Sequence, residues 1–133
     1  MSLQTPSLLI TDDDSDFRLA LKEAFEPRGF RTLLAGDGEE ALAVMRRETV
    51  HVVLLDMHMP RLSGLETIRR VREFHQQLPC ILISAAMDEA LAEEAQRVQA
   101  YSVLAKPIRF ADVNCAVRGA LRSTYAWRDF LNE

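Results

Sequence analysis

Polar side chains that can do chemistry follow apolar runs at four points of this 133-residue chain. Two of the runs lead into acids, one into a hydroxyl and one into a lysine. The side chains are Asp12 and Asp13 after 7–11, Asp56 after 51–55, Ser84 after 79–83 and Lys106 after 101–105. Because burying a carboxylate without a partner is costly, we expect such acids at the open ends of strands.

The chemistry that these side chains could share is metal binding and phosphoryl transfer. Mg²⁺ takes oxygen ligands, usually a few carboxylates with waters and a phosphate oxygen, and it relieves the repulsion among neighbouring acids. Asp12, Asp13 and Asp56 are therefore candidate ligands. A carboxylate is also a nucleophile that can form an aspartyl phosphate, and the transferred group needs cations and donors around it. Lys106 would supply a cation and Ser84 a donor.

Each of these residues also has an ordinary structural interpretation. Asp12 or Asp13 could cap the helix that follows, Ser84 could be a plain strand-end hydroxyl, and Lys106 could be a solvated charge. Taken singly, the residues favour that interpretation. Together they favour a shared site, because every one of them falls where a predicted strand ends.

Strands and helices alternate five times along the chain with short connections. The predicted strands cover 7–11, 30–35, 51–56, 79–84 and 101–105. Ser63 and Glu66 have the spacing of a capping box, and Asp88 is a candidate helix cap. The alternation predicts an α/β fold, a doubly wound five-stranded parallel sheet with helices on both faces, because right-handed crossovers return each strand parallel to the last. All five carboxyl ends then lie at one edge, where ligands bind in such sheets.

Length and composition predict one domain, large enough for a real core, in the cytoplasm. Sixteen basic and 20 acidic residues give a formal charge of −4, which argues against nucleic-acid or anionic-membrane binding as the main role. No apolar run approaches transmembrane length, and no signal peptide opens the sequence. Cys80 and Cys115 are far apart in apolar surroundings, and we expect both to be reduced core thiols.

The sequence resembles a response-regulator receiver domain of two-component signalling over about residues 7–122. The resemblance is carried by the Asp12-Asp13-Asp14 run, the 54–60 segment LLDMHMP with Gly64, the 83–85 strand end and Lys106-Pro107. It implies the flavodoxin-like strand order 2-1-3-4-5. It also implies a phosphorylation-dependent switch with a changing partner-binding surface, and not an enzyme that acts on outside substrates.

The same resemblance implies a role for each site residue. Asp56 would accept a phosphoryl group from the phosphohistidine of a sensor histidine kinase or a phosphotransfer protein. Ser84 and Lys106 would bind the phosphoryl group and couple it to the rest of the fold. The Mg²⁺ ligands would be oxygen atoms of Asp12, Asp13 and Asp56 and the backbone carbonyl of His58.

Two positions depart from the family pattern. An aromatic residue commonly stands on the last strand three positions before the lysine and reports phosphorylation by its rotamer, but here that position is Val103. Tyr101 is two residues earlier, on the same strand face by the period of two. The residue before this strand, often glycine, is Gln99. We therefore expect the readout to fall on 85–98, whose helix we predict to be weakly amphipathic and loosely packed.

Two functions of other classes are also open. A phosphohydrolase of the haloacid-dehalogenase type uses an Asp nucleophile at a strand end. That family needs a second acid two residues later, where this chain has His58, and a cap domain for which the chain has no room. A flavin-binding electron carrier on the same fold would need a hydroxyl-rich phosphate loop, and nothing between Ile10 and Phe17 resembles one.

The predicted organisation has three parts. Residues 1–6 form an N-terminal extension, whose first three residues have the form of a cloning remnant, and residues 7–122 form the receiver-like domain. Residues 123–133 are a C-terminal helical extension or a linker to an output domain. The apolar residues Tyr125, Trp127 and Phe130 either pack on the domain itself or form an interface with a second copy or an output domain.

Overall fold

A computed structural model describes residues 5–127 as a five-stranded parallel sheet with helices on both faces. The strands are β1 (Ser7–Thr11), β2 (Arg31–Ala35), β3 (Val52–Asp56), β4 (Cys80–Ser84) and β5 (Ser102–Ala105). The helices are α1 (Ser15–Phe25), α2 (Gly38–Arg47), α3 (Gly64–Phe74), α4 (Glu89–Arg97) and α5 (Phe110–Tyr125), with a 3-10 turn at Glu26–Arg28. The sheet order β2-β1-β3-β4-β5 confirms both the fold class and the strand order.

The three central strands are buried at every position because helices cover both of their faces. Alternate residues of each strand point to opposite layers. Leu9, Val53 and Leu82 pack with α2, α3 and α4, whereas Ile10 and Leu54 pack with α1 and α5. The nearly continuous apolar runs of the sequence are therefore explained by burial on two faces rather than one.

Four helices begin at a side chain that accepts hydrogen bonds from N–H groups of the first turn: Asp14, Asp37, Ser63 and Asp88. The caps at Ser63, with its Glu66 partner, and at Asp88 confirm the predicted ones. α1 is capped by Asp14. The interpretation of Asp12 or Asp13 as a helix cap is therefore wrong, and both carboxylates remain available for other roles.

The end of α5 packs against the amino end of β3. The helix stops at Tyr125, because Ala126 adopts a left-handed conformation with φ 57°. The Tyr125 hydroxyl donates to the His51 carbonyl at 2.8 Å, and the Trp127 ring stacks on Tyr125 with centroids 4.9 Å apart. These two aromatic residues pack on their own domain, as one of the two interpretations expected. Phe130 lies outside the described residues.

Two expectations about individual side chains are wrong. Cys115 is exposed rather than a core thiol, whereas Cys80 is buried, and burial raises the pKa of its thiol to about 11. Tyr101 lies in a bend before β5 and not on the strand, and a Cβ at Gly119 of α5 would come within 2.7 Å of its hydroxyl. Val103 packs in the opposite layer, so the two residues do not share a face. In α4, Leu91 and Ala95 are buried, and so is Val98 at the end of the helix, while the other side chains of α4 lie outside the core.

The turn before β5 keeps the conformation that a glycine would favour. Gln99 has φ 60°, in the left-handed region that side chains with a Cβ seldom adopt. Arg72 of α3 donates from Nη2 to the Gln99 carbonyl at 2.8 Å and from Nε to the Val98 carbonyl at 2.9 Å. The arginine thus supports a backbone conformation that the side chain at position 99 opposes.

Among residues 5–127, every helix falls short of the length and apolarity needed to cross a bilayer.

Candidate functional site

The carboxylates of Asp12, Asp13 and Asp56 meet at the carboxyl edge of the sheet. One oxygen of each lies within 4.8 Å of the others. The sheet brings them together because β1 and β3 pair in parallel with Thr11 beside Leu55, so the residues that follow this pair are neighbours. Asp12 and Asp56 are each only 3% exposed, whereas Asp13 is exposed. The predicted three-acid cluster is therefore formed.

The acids line a pocket of about 450 Å³, an order of magnitude larger than the ~30 Å³ that one water occupies in the liquid. The residues that line it are Asp12, Asp13, Asp14, Phe17, Asp56, Lys106, Pro107 and Ile108. Lys106 was expected here, but the apolar wall of Phe17, Pro107 and Ile108 was not. The volume admits a phosphoryl group together with a hydrated cation.

One oxygen of the Asp56 carboxylate takes part in an ion pair and a hydrogen bond. The Lys106 Nζ lies 3.2 Å from Oδ1, and the backbone N–H of His58 donates to the same atom at 3.2 Å. Among residues 5–127 no hydrogen bond reaches Oδ2, which remains for a ligand. Lys106 itself follows β5, where its N–H donates to the Ser84 carbonyl at 2.9 Å and its bond to Pro107 is cis.

The charge at this edge is not balanced by the protein alone. Burial raises the pKa of the Asp12 carboxyl above its ordinary value, and a hydrogen bond from the Asp14 N–H at 2.9 Å offsets part of that rise. The neighbouring charges of Asp56 and Asp13 raise the pKa further, and the charge of Lys106 opposes them. Three carboxylates thus share one ammonium group. A hard divalent cation fits this donor set, since its ligands are carboxylate oxygens in an open pocket.

Ser84 does not face this pocket. Its buried hydroxyl donates to the Ala86 carbonyl at 2.9 Å and accepts from the Ala86 N–H at 3.2 Å. It lines a neighbouring pocket of about 210 Å³, beside Met57 and Leu91. The structure therefore brings Asp12, Asp13, Asp56 and Lys106 together, as the strand ends predict, and leaves the hydroxyl turned toward its own loop.

Gly64 shows how closely α3 begins against this site. A Cβ at that position would lie 2.7 Å from the Asp56 carbonyl oxygen and 2.5 Å from Cδ1 of Leu82. The Gly64 N–H donates to the Met57 carbonyl at 3.0 Å. The absence of a side chain is what allows the loop after β3 to close over the acid.

Arg18 is a residue near the site that the sequence did not reveal. Its Nη1 donates to the Asp12 carbonyl at 2.5 Å. In the sequence it stands in the first turn of a helix, where an arginine is usually a solvated charge. No spacing signal distinguishes it from the other arginines of the chain.

A family model for the response regulator receiver domain matches residues 8–118. The chain belongs to the receiver-domain family. It is 28% identical over 116 residues to sporulation initiation phosphotransferase F of Bacillus subtilis, covering 87% of this chain and 94% of that protein. It is 33% identical over 121 residues to a probable chemotaxis protein CheY of Rhizobium etli, covering 86% and 94%.

Other relatives are longer than this receiver domain. The transcriptional regulatory protein CpxR of Klebsiella pneumoniae is 33% identical over 118 residues, which are 89% of this chain but 50% of that protein. The chain therefore spans about half the length of CpxR. Among solved structures, the Francisella response regulator 1452 receiver domain superposes with a TM-score of 0.84 at 28% identity, covering 90% of this chain and 99% of that one.

These relationships confirm the receiver domain and its place in two-component phosphorylation signalling. Receiver domains act as phosphoacceptor switches and generally bind Mg²⁺ at an acidic site. The haloacid-dehalogenase and flavin-carrier alternatives are left without support.

Proposed function

We propose that Asp56 is the phosphoacceptor of this receiver domain. The observation that carries the proposal is the state of its carboxylate: buried at the end of β3, bonded through Oδ1, and with Oδ2 left for a ligand beside two further acids. The Mg²⁺ ligands are then oxygens of Asp12, Asp13, Asp56 and the backbone carbonyl of His58. The last of these rests on the family pattern alone.

The phosphoryl donor is a phosphohistidine of a sensor histidine kinase or a phosphotransfer protein. A carboxylate oxygen of Asp56 forms a bond to phosphorus while the phosphorus–nitrogen bond breaks, and the electron pair and a proton go to the imidazole leaving group. Bound Mg²⁺ supplies positive charge for the phosphoryl oxygens. Lys106 supplies a second cation, and its Nζ needs to move little because it already lies 3.2 Å from the acceptor carboxylate. Any later hydrolysis of the acyl phosphate acts on the domain itself.

The readout begins at Ser84. To donate to a phosphoryl oxygen, its hydroxyl must leave the Ala86 carbonyl, so phosphorylation and the loop conformation at 85–88 are coupled. Val103 has a short side chain with a stiff χ1 and cannot fill the space behind Ser84 as an aromatic ring would. The change is therefore passed to the exposed loop 85–88 and the first turn of α4.

The partners follow from the family and from the relatives. We take residues 7–122 as a cytoplasmic receiver domain and 123–133 as an extension or a linker. The surface that changes serves an output domain, a downstream protein or a second copy of the chain. CpxR is by its name a transcriptional regulatory protein. In this receiver domain the net charge of −4 does not favour direct binding to nucleic acid or membrane.

The test is the intact mass of the protein after incubation with phosphoramidate and Mg²⁺. Wild type gains one phosphoryl group, and Asp56→Asn gains none. Asp14→Asn is the matched control, because Asp14 lines the same pocket but lies outside the three-acid cluster, and asparagine also caps helices well. An adduct that persists in Asp56→Asn, or one that forms equally well in excess chelator, would contradict the proposal.

A further inference from the structure

We propose that Arg18 is a positioning residue for the metal site. Its guanidinium fixes the peptide that joins Asp12 to Asp13, and it thereby orients the side chains of both acids. This inference rests on the proposed function, which it deepens. Arg18 contacts neither the cation nor the phosphoryl group in this account. It acts through the backbone of the residue that carries the first ligand.

Asp12 is held at three points. Its N–H donates to the Ala35 carbonyl at 3.1 Å, and its Oδ1 accepts from the Asp14 N–H at 2.9 Å. Its carbonyl accepts from Arg18 Nη1 at 2.5 Å, and among residues 5–127 this is the one hydrogen bond to Asp12 that another residue's side chain makes. Asp13 is different, since among residues 5–127 no donor is bonded to its carboxylate.

The hydrogen bond from Arg18 to the Asp12 carbonyl therefore matters most for the position of Asp13. The carbonyl of Asp12 and the N–H of Asp13 belong to one planar peptide unit, so a fixed carbonyl direction fixes the plane from which the Cα of Asp13 continues. The position of the exposed Asp13 side chain is then determined by the backbone alone. If the Arg18 donor is lost, the peptide plane between Asp12 and Asp13 can rotate, and the two carboxylates no longer point toward the same metal site.

The contribution of Arg18 is geometric rather than electrostatic. Its guanidinium is bonded to the backbone carbonyl of Asp12, and among residues 5–127 it forms no ion pair with the carboxylates of the site. The guanidinium lies between the loops after β1 and β2, where a Cβ at Gly36 would come 3.5 Å from Nη1. An arginine presents several donors on a rigid plane. It can therefore bond to the Asp12 carbonyl from its position on α1 with little loss of side-chain entropy.

The test compares Mg²⁺ affinity and phosphorylation in Arg18→Met and Arg18→Lys. Methionine keeps the apolar stem and removes the donors, whereas lysine restores one. We expect Arg18→Met to raise the Mg²⁺ dissociation constant ~3–10-fold, as the loss of one hydrogen bond of typical strength implies. Arg18→Lys should give a smaller rise. The rate of phosphorylation by phosphoramidate at one subsaturating Mg²⁺ concentration should fall in the same order. Affinity is read from amide shifts in ¹⁵N-labelled protein during a Mg²⁺ titration.

Arg72→Met is the matched control. It also removes an arginine that donates to backbone carbonyls, but at the opposite edge of the sheet. It should lower the melting temperature and leave Mg²⁺ affinity unchanged. The inference fails if folded Arg18→Met binds Mg²⁺ as wild type does, or if Arg72→Met weakens binding equally, which would mark a general effect of stability. A wild type that binds no Mg²⁺, or an Asp13→Asn variant with unchanged affinity, would instead overturn the proposed function.

Discussion

At the carboxyl edge of the sheet, three carboxylates share the single ammonium group of Lys106. At the amino edge, the single guanidinium of Arg72 donates to four backbone carbonyls, at distances from 2.8 to 3.1 Å. The carboxyl edge has more negative charge than these side chains neutralise, whereas at the amino edge one arginine satisfies four backbone carbonyls. The carboxyl edge of the sheet is therefore suited to bind a cation, whereas the amino edge is stabilised by contacts within the protein.

The amino edge also carries an aromatic cluster formed by His51, Tyr125 and Trp127. The His51 Nδ1 accepts from the Ser7 N–H at 2.9 Å, and the His51 carbonyl accepts from the Tyr125 hydroxyl. The Trp127 ring packs on the His51 ring with centroids 4.8 Å apart. These contacts tie α5 to β1 and β3 at the edge away from the acids. We therefore expect changes at the amino edge to alter stability, and changes at the carboxyl edge to alter ligand binding.

The largest effect on stability is expected from Arg72→Met. The variant leaves four carbonyls without their donor, including that of the strained Gln99, and we expect a loss of ~2–4 kcal/mol in the free energy of unfolding. Urea denaturation measures it. Arg69→Met, at an exposed position of the same helix, is the control and should unfold as wild type. A loss no larger than that of the control would show that the amino edge does not depend on this network.

A change at the carboxyl edge should act on binding instead. Asp13→Asn removes one carboxylate ligand and keeps its shape, and we expect Mg²⁺ affinity to fall about tenfold or more with little change in stability. Amide shifts in a Mg²⁺ titration give the affinity. Asp16→Asn, an exposed acid in the first turn of α1, should bind Mg²⁺ as wild type does. Equal affinities in wild type and Asp13→Asn would remove this residue from the site.

The smallest expected effect is the pH dependence of stability that His51 confers at the amino edge. Burial lowers the pKa of His51 below its ordinary 6.5, so the folded state binds fewer protons there than the unfolded chain. This contribution to stability is complete above about pH 6.5 and is lost as the pH falls toward the folded-state pKa. In His51→Asn the amide oxygen can still accept from the Ser7 N–H without titrating.

Unfolding at pH values from 7.5 to about 5.5 tests this prediction. The stability of wild type relative to His51→Asn should decline over that range. A constant difference between wild type and His51→Asn would mean that the buried imidazole does not resist protonation.

The sequence predicted what depends on local pattern. Apolar runs placed β1 and β4 within one residue of their observed bounds, and the alternation of elements predicted that Asp12, Asp13, Asp56 and Lys106 would share an edge. The strand order came from the family resemblance, because the spacing of elements does not distinguish the parallel arrangements. The caps at Ser63 and Asp88 were found because their partners are three residues away.

What the sequence could not predict depends on contacts between distant residues or on the rotation of a single side chain. The bond between Tyr125 and His51 joins positions 74 residues apart. The Ser84 hydroxyl lies at a strand end in either orientation, and only the loop at Ala86 decides which way it turns. Tyr101 was predicted on a strand face, but the chain bends before β5 begins, and period-two reasoning fails there.

The most direct test of the difference between the two edges is an amide-resolved comparison of the free protein with its complex with Mg²⁺ and beryllofluoride, which stands in for the phosphoryl group on Asp56. We predict shift and hydrogen-exchange changes at 12–14, 56–58, 84–91 and 106, with the amino-edge residues His51, Leu78 and Gln99 unchanged. Changes concentrated at the amino edge, or a response in wild type that Asp56→Asn reproduces in full, would contradict the account.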